Sequence, residues 1–450
     1  MDFSTVESLA EESLNMTGSA VTVEVGLLYY GGFAATLPAM LVSLWLLLRG
    51  RDWTAGLCMS LLIVAGAWLR LYAATVHAYS FALLSTVLLG IAGGVIFTSF
   101  TSIPERWFPE HERGIATAMA VQSNYAGWAI GVLNPAMFGG SLFGNASAPT
   151  EGGLDHFLVV QGVVATCLLP LHLLANSRGP LTKHAGASSS SSGGGGGGSG
   201  GPPSDLNPAL GFGATLAMLV RRPQYLIHSA CYAVLGAVGY AVTGIMNECF
   251  SAALPPLNVS SAASNGTASS SAFDAEETMW LNFVFVVSGV SAGLLAGKLT
   301  PLRHYGTVVK ALFVVGAGAL LGVQALLLVA QHGSLSKQSM FAMLLVLMML
   351  AGAGSLGFTS LGLRVAVGES RPAAEIYSGS IIEFFLLGIS CTLGLLTYVL
   401  PPTQTFWFFA IPACASCACL FCFAKFPRAE DLHEGLIAHQ DDVRVYAGAS

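Results

Sequence analysis

Charge is what this chain has least of. Only 9% of its 450 residues are charged, against 54% hydrophobic, whereas a soluble domain carries about 25% charged residues. That scarcity excludes a water-soluble globular protein. With 18 Lys and Arg, 24 Asp and Glu and a net charge of −6, the chain also lacks the basic surplus that nucleic-acid binding needs. A cleavable signal peptide is missing too, since the first twenty residues are polar and carry Asp2, Glu7, Glu11 and Glu12 in place of a basic stretch and an apolar core. The first crossing must therefore act as its own insertion signal. Nearly all of the nine cysteines lie within apolar runs, where a bridge would have to join helices, so no disulfide framework is expected; only Cys249 sits near a polar loop. No catalytic triad, metal cage or nucleotide motif stands out, so neither an enzyme nor a cofactor is expected. The glycine run at 193–198 is not followed by Gly-Lys-Ser/Thr and is no phosphate loop.

Long apolar runs are what the chain has most of. They fall at about 23–48, 55–76, 79–103, 115–139, 156–176, 224–247, 279–299, 306–330, 338–363, 376–400 and 403–425. At ~20 residues per bilayer crossing each is long enough to span. The fold class expected is all-α, a polytopic membrane bundle of 11 transmembrane helices in groups of five and six. Residues 1–22 form an outer tail, 23–176 a first helical half, 177–223 a linker, 224–425 a second half and 426–450 a cytosolic tail. The linker holds Ser188 to Ser192, Gly193 to Gly198 and Pro202-Pro203, a composition too poor in apolar surface to fold. Its last stretch, from Leu210 to Val220 before Arg221-Arg222, reads as a short interfacial helix.

Two counts agree on orientation. A cytosolic C-terminus places all the Lys and Arg except Arg70 and Lys337 on the inner side, as the positive-inside rule requires. Four acceptor sequons, at Asn15, Asn145, Asn258 and Asn265, then all fall in outer segments, the side on which sugar is attached. The N-terminus is outside, in the plasma membrane or an endomembrane.

Several motifs carry a family resemblance. Trp107-Phe-Pro-Glu-His-Glu-Arg-Gly-Ile-Ala-Thr117, followed by Ser123-Asn-Tyr-Ala-Gly127 and Ala129-Ile-Gly131, resembles the fifth helix, and the loop before it, of the feline leukaemia virus subgroup C receptor-related transporters. Trp45-Leu-Leu-Leu-Arg-Gly-Arg51 and Gly66-Ala-Trp-Leu-Arg70 are similar to that family's second and third helices. Gly239-Tyr240, Met246-Asn247 and Glu369-Ser-Arg-Pro-Ala-Ala-Glu375 resemble the starts of its seventh and eleventh. The family belongs to the major facilitator superfamily, with two six-helix halves and a long cytosolic loop between them. On that pattern the first five helices here are the family's second to sixth, and its first, cavity-lining helix has no counterpart; a start codon placed too late and a protein of eleven crossings both account for this. The family's gating motif also departs: Leu48 stands about where its acid would be, and Thr300 replaces the acid of the second-half copy, so the charge clamp is weakened or rebuilt from other residues.

The resemblance implies transport of a small organic solute by alternating access, with choline-like cations favoured and haem or a vitamin-type solute next. A receptor-like or truncated facilitator that binds without translocating is the competing class. The expected partners are the small-molecule substrate and the lipid bilayer, with a monomer as the working unit.

Transporter sites lie near the midplane, where polar and ionisable side chains are costly. Gln122, Tyr125 and Ala129 share one helix face, and Tyr240, Thr243 and Asn247 another. The resemblance aligns Tyr125 and Tyr240 with cavity residues, and a tyrosine face attracts a quaternary ammonium by ~0.5 to 2 kcal/mol; packing is the alternative for each ring. Glu383, seven residues into its helix, lies roughly 10 Å deep and is either a cation ligand or proton-coupling group, or a neutral carboxyl hydrogen-bonded between helices. Arg371 and Glu375 at the inner end read as gating residues. Arg70, near the outer end of its helix, is expected to snorkel. The thiols of Cys414, Cys417, Cys419 and Cys422 spread over an arc of about 200° on a helix and cannot converge on one metal; packing is expected, with acylation a further option for Cys422. Gly352 to Gly357 reads as a close helix contact rather than a nucleotide loop.

Overall fold

The structure, a computed structural model, describes residues 21–108, 112–138, 151–176, 212–253, 273, 275–299, 304–331, 336–370, 373, 375–397 and 404–426. The described residues form helices and their short connections. In lipid every backbone amide must bond within its own segment, which leaves the helix as the one solution for apolar runs of this length. The first half contains α1 (Val21–Leu48), α2 (Asp52–Thr75), α3 (Tyr79–Trp107), α4 (Arg113–Phe138) and α5 (Glu151–Asn176). A short α6 (Phe212–Val220) precedes the second half, formed by α7 (Pro223–Ala253), α8 (Ala275–Leu299), α9 (Tyr305–Gln331), α10 (Lys337–Ser355), α11 (Thr359–Glu369), α12 (Glu375–Thr397) and α13 (Trp407–Phe423). A helix stands at each of the eleven apolar runs. The chain is an integral, multi-pass membrane protein.

One expected crossing is built differently. The run at 338–363 is not continuous, because the helix breaks at Leu356-Gly357-Phe358 between α10 and α11. The glycines before the break are there for approach: a Cβ on Gly352 would strike the carbonyl of Phe285 in α8, and one on Gly354 would strike the backbone of Gly316 in α9. The close packing read from Gly352 to Gly357 therefore holds, and the same run also ends the helix. Between α1 and α2 the chain reverses through Gly50, whose φ of 68° favours glycine. The short α6 lies where the sequence placed it, with Leu219 and Thr215 buried against the second half and the Phe212 ring 6.1 Å from Tyr377.

Burial separates central from peripheral helices. In the apolar stretch of α7 83% of the residues are buried, against 22% in that of α5, so α7 is central while α5 leaves most of its Val and Leu side chains on the outside of the bundle. Within the first half α3 packs on α1 and α2, and α2 on α5. Within the second, α7 packs on α12 and α13, and α10 on α8 and α9. The halves meet where α1 and α3 touch α12, and where α4 touches α8 and α11.

Alternation of the helices gathers Arg49, Arg51, Arg106, Arg113, Arg221 and Arg222 at one end of the bundle. Here Arg106 at the end of α3 pairs with Asp52 at the start of α2 and donates to the Leu47 carbonyl at 3.0 Å. Asp52, four residues beyond Leu48, is the acid of this pair. The halves also close at this end: Thr101 donates to the Glu375 carbonyl at 3.3 Å, and the Arg364 guanidinium lies where a Cβ on Gly114 would sit. At the opposite end Tyr30 of α1 packs on Gly394 of α12, and Tyr29 on Gly244 of α7.

Candidate functional site

Beside the contact of Tyr29 with α7 lies a cavity of about 150 Å³. Six helices line it: α1, α2, α3 and α4 from the first half, α7 and α8 from the second. Its aromatic wall comes from Tyr29 and Phe33 of α1 and Trp128 of α4. Its polar groups are Arg70, Thr86, Thr243 and Asn282. The wall is open partly because Gly131, one of its residues, has no atom within 4 Å of where a Cβ would stand.

Tyr240 stands one ring behind this wall. It is 1% exposed, and its ring centroid lies 4.5 Å from Trp128, 5.6 Å from Tyr125, 5.9 Å from Phe33 and 6.2 Å from Phe97. The contacts with Trp128, Tyr125 and Phe33 are edge-to-face, the geometry the ring quadrupoles prefer. The Tyr240 hydroxyl accepts from the Asn124 amide at 3.2 Å, and its carbonyl accepts from the Tyr29 hydroxyl at 3.3 Å. Tyr240 therefore joins three helices of the first half to α7 of the second.

The expected site residues do not all come together. Tyr125 and Tyr240 come together in this cluster. Gln122 is buried at the seam of the halves, where its amide nitrogen approaches the Leu356 carbonyl at 3.4 Å and Thr359 Oγ1 at 3.5 Å, across the break between α10 and α11. Its Oε1 has no hydrogen-bond partner among the described residues. Glu383 is apart from both: 2% exposed, it accepts a 2.7 Å hydrogen bond from the Tyr232 hydroxyl, tying α12 to α7, and it does not line the cavity. Glu375 sits at the seam of the arginine-rich end, through its carbonyl contact with Thr101. The Asn247 side chain, Arg371, Thr300 and the sequon residues Asn15, Asn145, Asn258 and Asn265 lie outside what is described.

Arg70 is a correction. It does not snorkel to the surface but is 3% exposed, with Nη2 donating to Thr86 Oγ1 at 3.3 Å inside the cavity. Depth from the helix end misled here, because the face that α2 turns inward decides where the side chain goes. Trp128, Phe33 and Asn282 were missed as well. Trp128 follows Tyr125 by three residues, one turn on the same face, and Asn282 is a lone amide in an apolar run, so both carried a signal. The cysteine string behaves as packing residues: Cys414, Cys417 and Cys419 are half-buried against the core and Cys422 is exposed. No cluster of His, Cys, Asp and Glu among the described residues could hold a metal ion.

Two helical halves around a shared cavity define a class of polytopic membrane protein, and solved structures identify its fold. FucP, a major facilitator superfamily transporter in its outward conformation, matches with a TM-score of 0.58 over 92% of each chain at 14% identity. The xylose transporter XylE from E. coli, in a partially occluded inward-open conformation, matches with a TM-score of 0.60 over 94% of each chain at 16% identity. The E. coli fucose:proton symporter matches again, in a variant form, at 0.54 over 94% of this chain and 95% of that one, with 16% identity. No protein-family model matches the chain, and no curated protein matches it by sequence. The chain has the major facilitator fold.

Proposed function

We propose that this protein transports a small organic solute by alternating access, binding it in the cavity between the halves. The observation that carries this reading is the cavity itself: helices of both halves line it, and the halves touch both at the arginine-rich end, where Thr101 meets Glu375, and beside the cavity, where Tyr29 meets Gly244. A rocking of the halves that breaks one closure at a time would expose it to each side in turn. The fold shared with FucP and XylE supports the same motion.

Size and lining both bear on the substrate class. A cavity of about 150 Å³ is what a benzene-sized molecule fills, so it has room for a choline-sized solute. The wall of Trp128, Tyr29 and Phe33 offers ring faces to a cationic nitrogen, each such contact contributing ~0.5 to 2 kcal/mol. Choline-like cations remain the favoured substrates on the resemblance. The pairing of Asp52 with Arg106 supports a working clamp and removes one motive for a non-transporting receptor.

In the proposed orientation the arginine-rich end faces the cytosol, the N-terminus and all four sequons face outward, and Arg371 and Glu375 belong to the inner gate. The working unit is a monomer. Uptake of labelled choline into proteoliposomes tests the function: accumulation that a competitor abolishes is expected, and no accumulation of choline or of any other small organic solute would refute it.

A further inference from the structure

We infer that α6, together with Arg221, forms a binding site for an acidic phospholipid of the inner leaflet. The helix itself is the first observation. Thr215 and Leu219 are buried against the second half, while Phe212, Leu216 and Val220, spaced by four on the opposite face, are 43%, 36% and 57% exposed. No charged side chain occurs between Phe212 and Val220, and a helix that is apolar all round is stable only where both faces are kept from water. Acyl chains lying along its length of about 13 Å supply that cover. The site belongs to the arginine-rich end, so its place in the inner leaflet rests on the orientation proposed above; it does not depend on what the cavity carries.

Charge supplies the second observation. Arg221 directly follows the apolar stripe and is exposed, and its guanidinium forms no hydrogen bond or ion pair among the described residues. Arg222 is engaged differently: it donates to the Glu369 carbonyl at 3.2 Å and so pins the turn between α6 and α7 to the end of α11. The turn is fixed while Arg221 stays available to a ligand. An apolar stripe ending in an arginine matches a phospholipid, chains on the stripe and phosphate on the guanidinium. A net-negative headgroup suits it better than phosphatidylcholine, which carries its own cation; one basic side chain near a membrane surface is equivalent to roughly fivefold in favour of acidic lipid. The site also reaches the seam of the halves. The Phe212 ring lies 6.1 Å from Tyr377 of α12, which packs on a cluster holding Leu44 and Leu47 of α1 and Ala55 of α2.

The test puts photoreactive benzoylphenylalanine in place of Phe212 in the full chain, held in nanodiscs of phosphatidylcholine and phosphatidylserine in equal amounts, and identifies the captured lipid by mass spectrometry. Phosphatidylserine is expected to be captured about fivefold more than phosphatidylcholine. With the probe in place of Val164, which is 51% exposed on α5, the two lipids should be captured about equally. Arg221→Gln should abolish the preference at the Phe212 position, and Arg221→Lys, which keeps the charge, should retain it. An excess of glycerophosphoserine, a headgroup without chains, should leave capture unchanged. Equal capture of the two lipids beside α6, a preference undiminished in Arg221→Gln, the same preference at the Val164 position, capture of protein instead of lipid, or displacement by glycerophosphoserine would each overturn the inference. The discs offer both lipids on both faces and capture involves no transport, so the result is independent of the transporter reading and of the orientation.

Discussion

Replacing Tyr240 separates packing from hydroxyl chemistry at the heart of the bundle. Tyr240→Phe keeps all four ring neighbours and removes the hydroxyl that Asn124 reaches at 3.2 Å and that faces Tyr125, a loss of about 1 kcal/mol per hydrogen bond. Tyr240→Ala removes the ring that Trp128, Tyr125, Phe33 and Phe97 surround. Large-to-small changes of this kind cost about 3 to 5 kcal/mol, and each lost edge-to-face pair accounts for ~0.5 to 1.5 kcal/mol of interaction beyond area burial. The expected outcome is a modest fall in thermal stability for the phenylalanine variant and a severe one for the alanine variant, measured on purified protein in nanodiscs. Function should follow the ring: with Tyr240 gone, Trp128 and Phe33 lose the partner that orients them at the cavity wall, and cation binding weakens by about 2- to 30-fold, the equivalent of one cation–π contact. Ligand-dependent shifts in the melting curve and labelled-solute binding read both effects. An alanine variant as stable as the parent would refute the packing argument. A phenylalanine variant as damaged as the alanine one would show that the hydroxyl, not the ring, is what matters.

Other perturbations test separate parts of the structure. Glu383→Gln keeps an acceptor for the Tyr232 hydroxyl and should change stability by less than about 1 kcal/mol, whereas Glu383→Leu strands that buried hydroxyl and should cost about 1 to 3 kcal/mol; thermal unfolding distinguishes them, and uptake surviving in Glu383→Gln would dismiss the carboxylate as a coupling group. Gly354→Val should loosen α10 from α9 at a cost of about 1 to 3 kcal/mol or more, while Gly388→Ala, with nothing within 4 Å of the new Cβ, should be neutral or stabilising by up to about 1 kcal/mol; equal effects in a melting assay would remove close backbone approach as the reason for Gly354. For orientation, glycosidase treatment should lower the mass of the parent expressed in a eukaryotic secretory pathway and leave a variant with all four sequon asparagines replaced by Gln unchanged. Sugar on the Ser188–Ser192 tract's side of the membrane would invert the proposed topology.

Helices formed at all eleven apolar runs because bilayer thickness and backbone hydrogen bonding leave no other solution, so composition along the chain was sufficient to place them. The short α6 and the close contact at Gly352 to Gly357 were legible for similarly local reasons, an amphipathic stretch in one case and small side chains in the other. The break after Ser355 was not, since the run from Lys337 onwards stays apolar through it and nothing in its hydropathy marks the turn. Tyr125 and Tyr240 could be nominated from the sequence, yet a list of polar midplane residues does not say which of them face each other.

That choice belongs to the tertiary structure. Hydrophobicity is a property of each segment and survives being read one helix at a time, but the rotation of a helix about its axis is set by its neighbours. Rotation buried Arg70 in a cavity instead of leaving it at the surface, took Glu383 away from that cavity to meet Tyr232, and brought Asn282 across from the other half. The sequence alone determined that the chain crosses lipid many times in two groups; only packing between the groups decided what the space they enclose can hold.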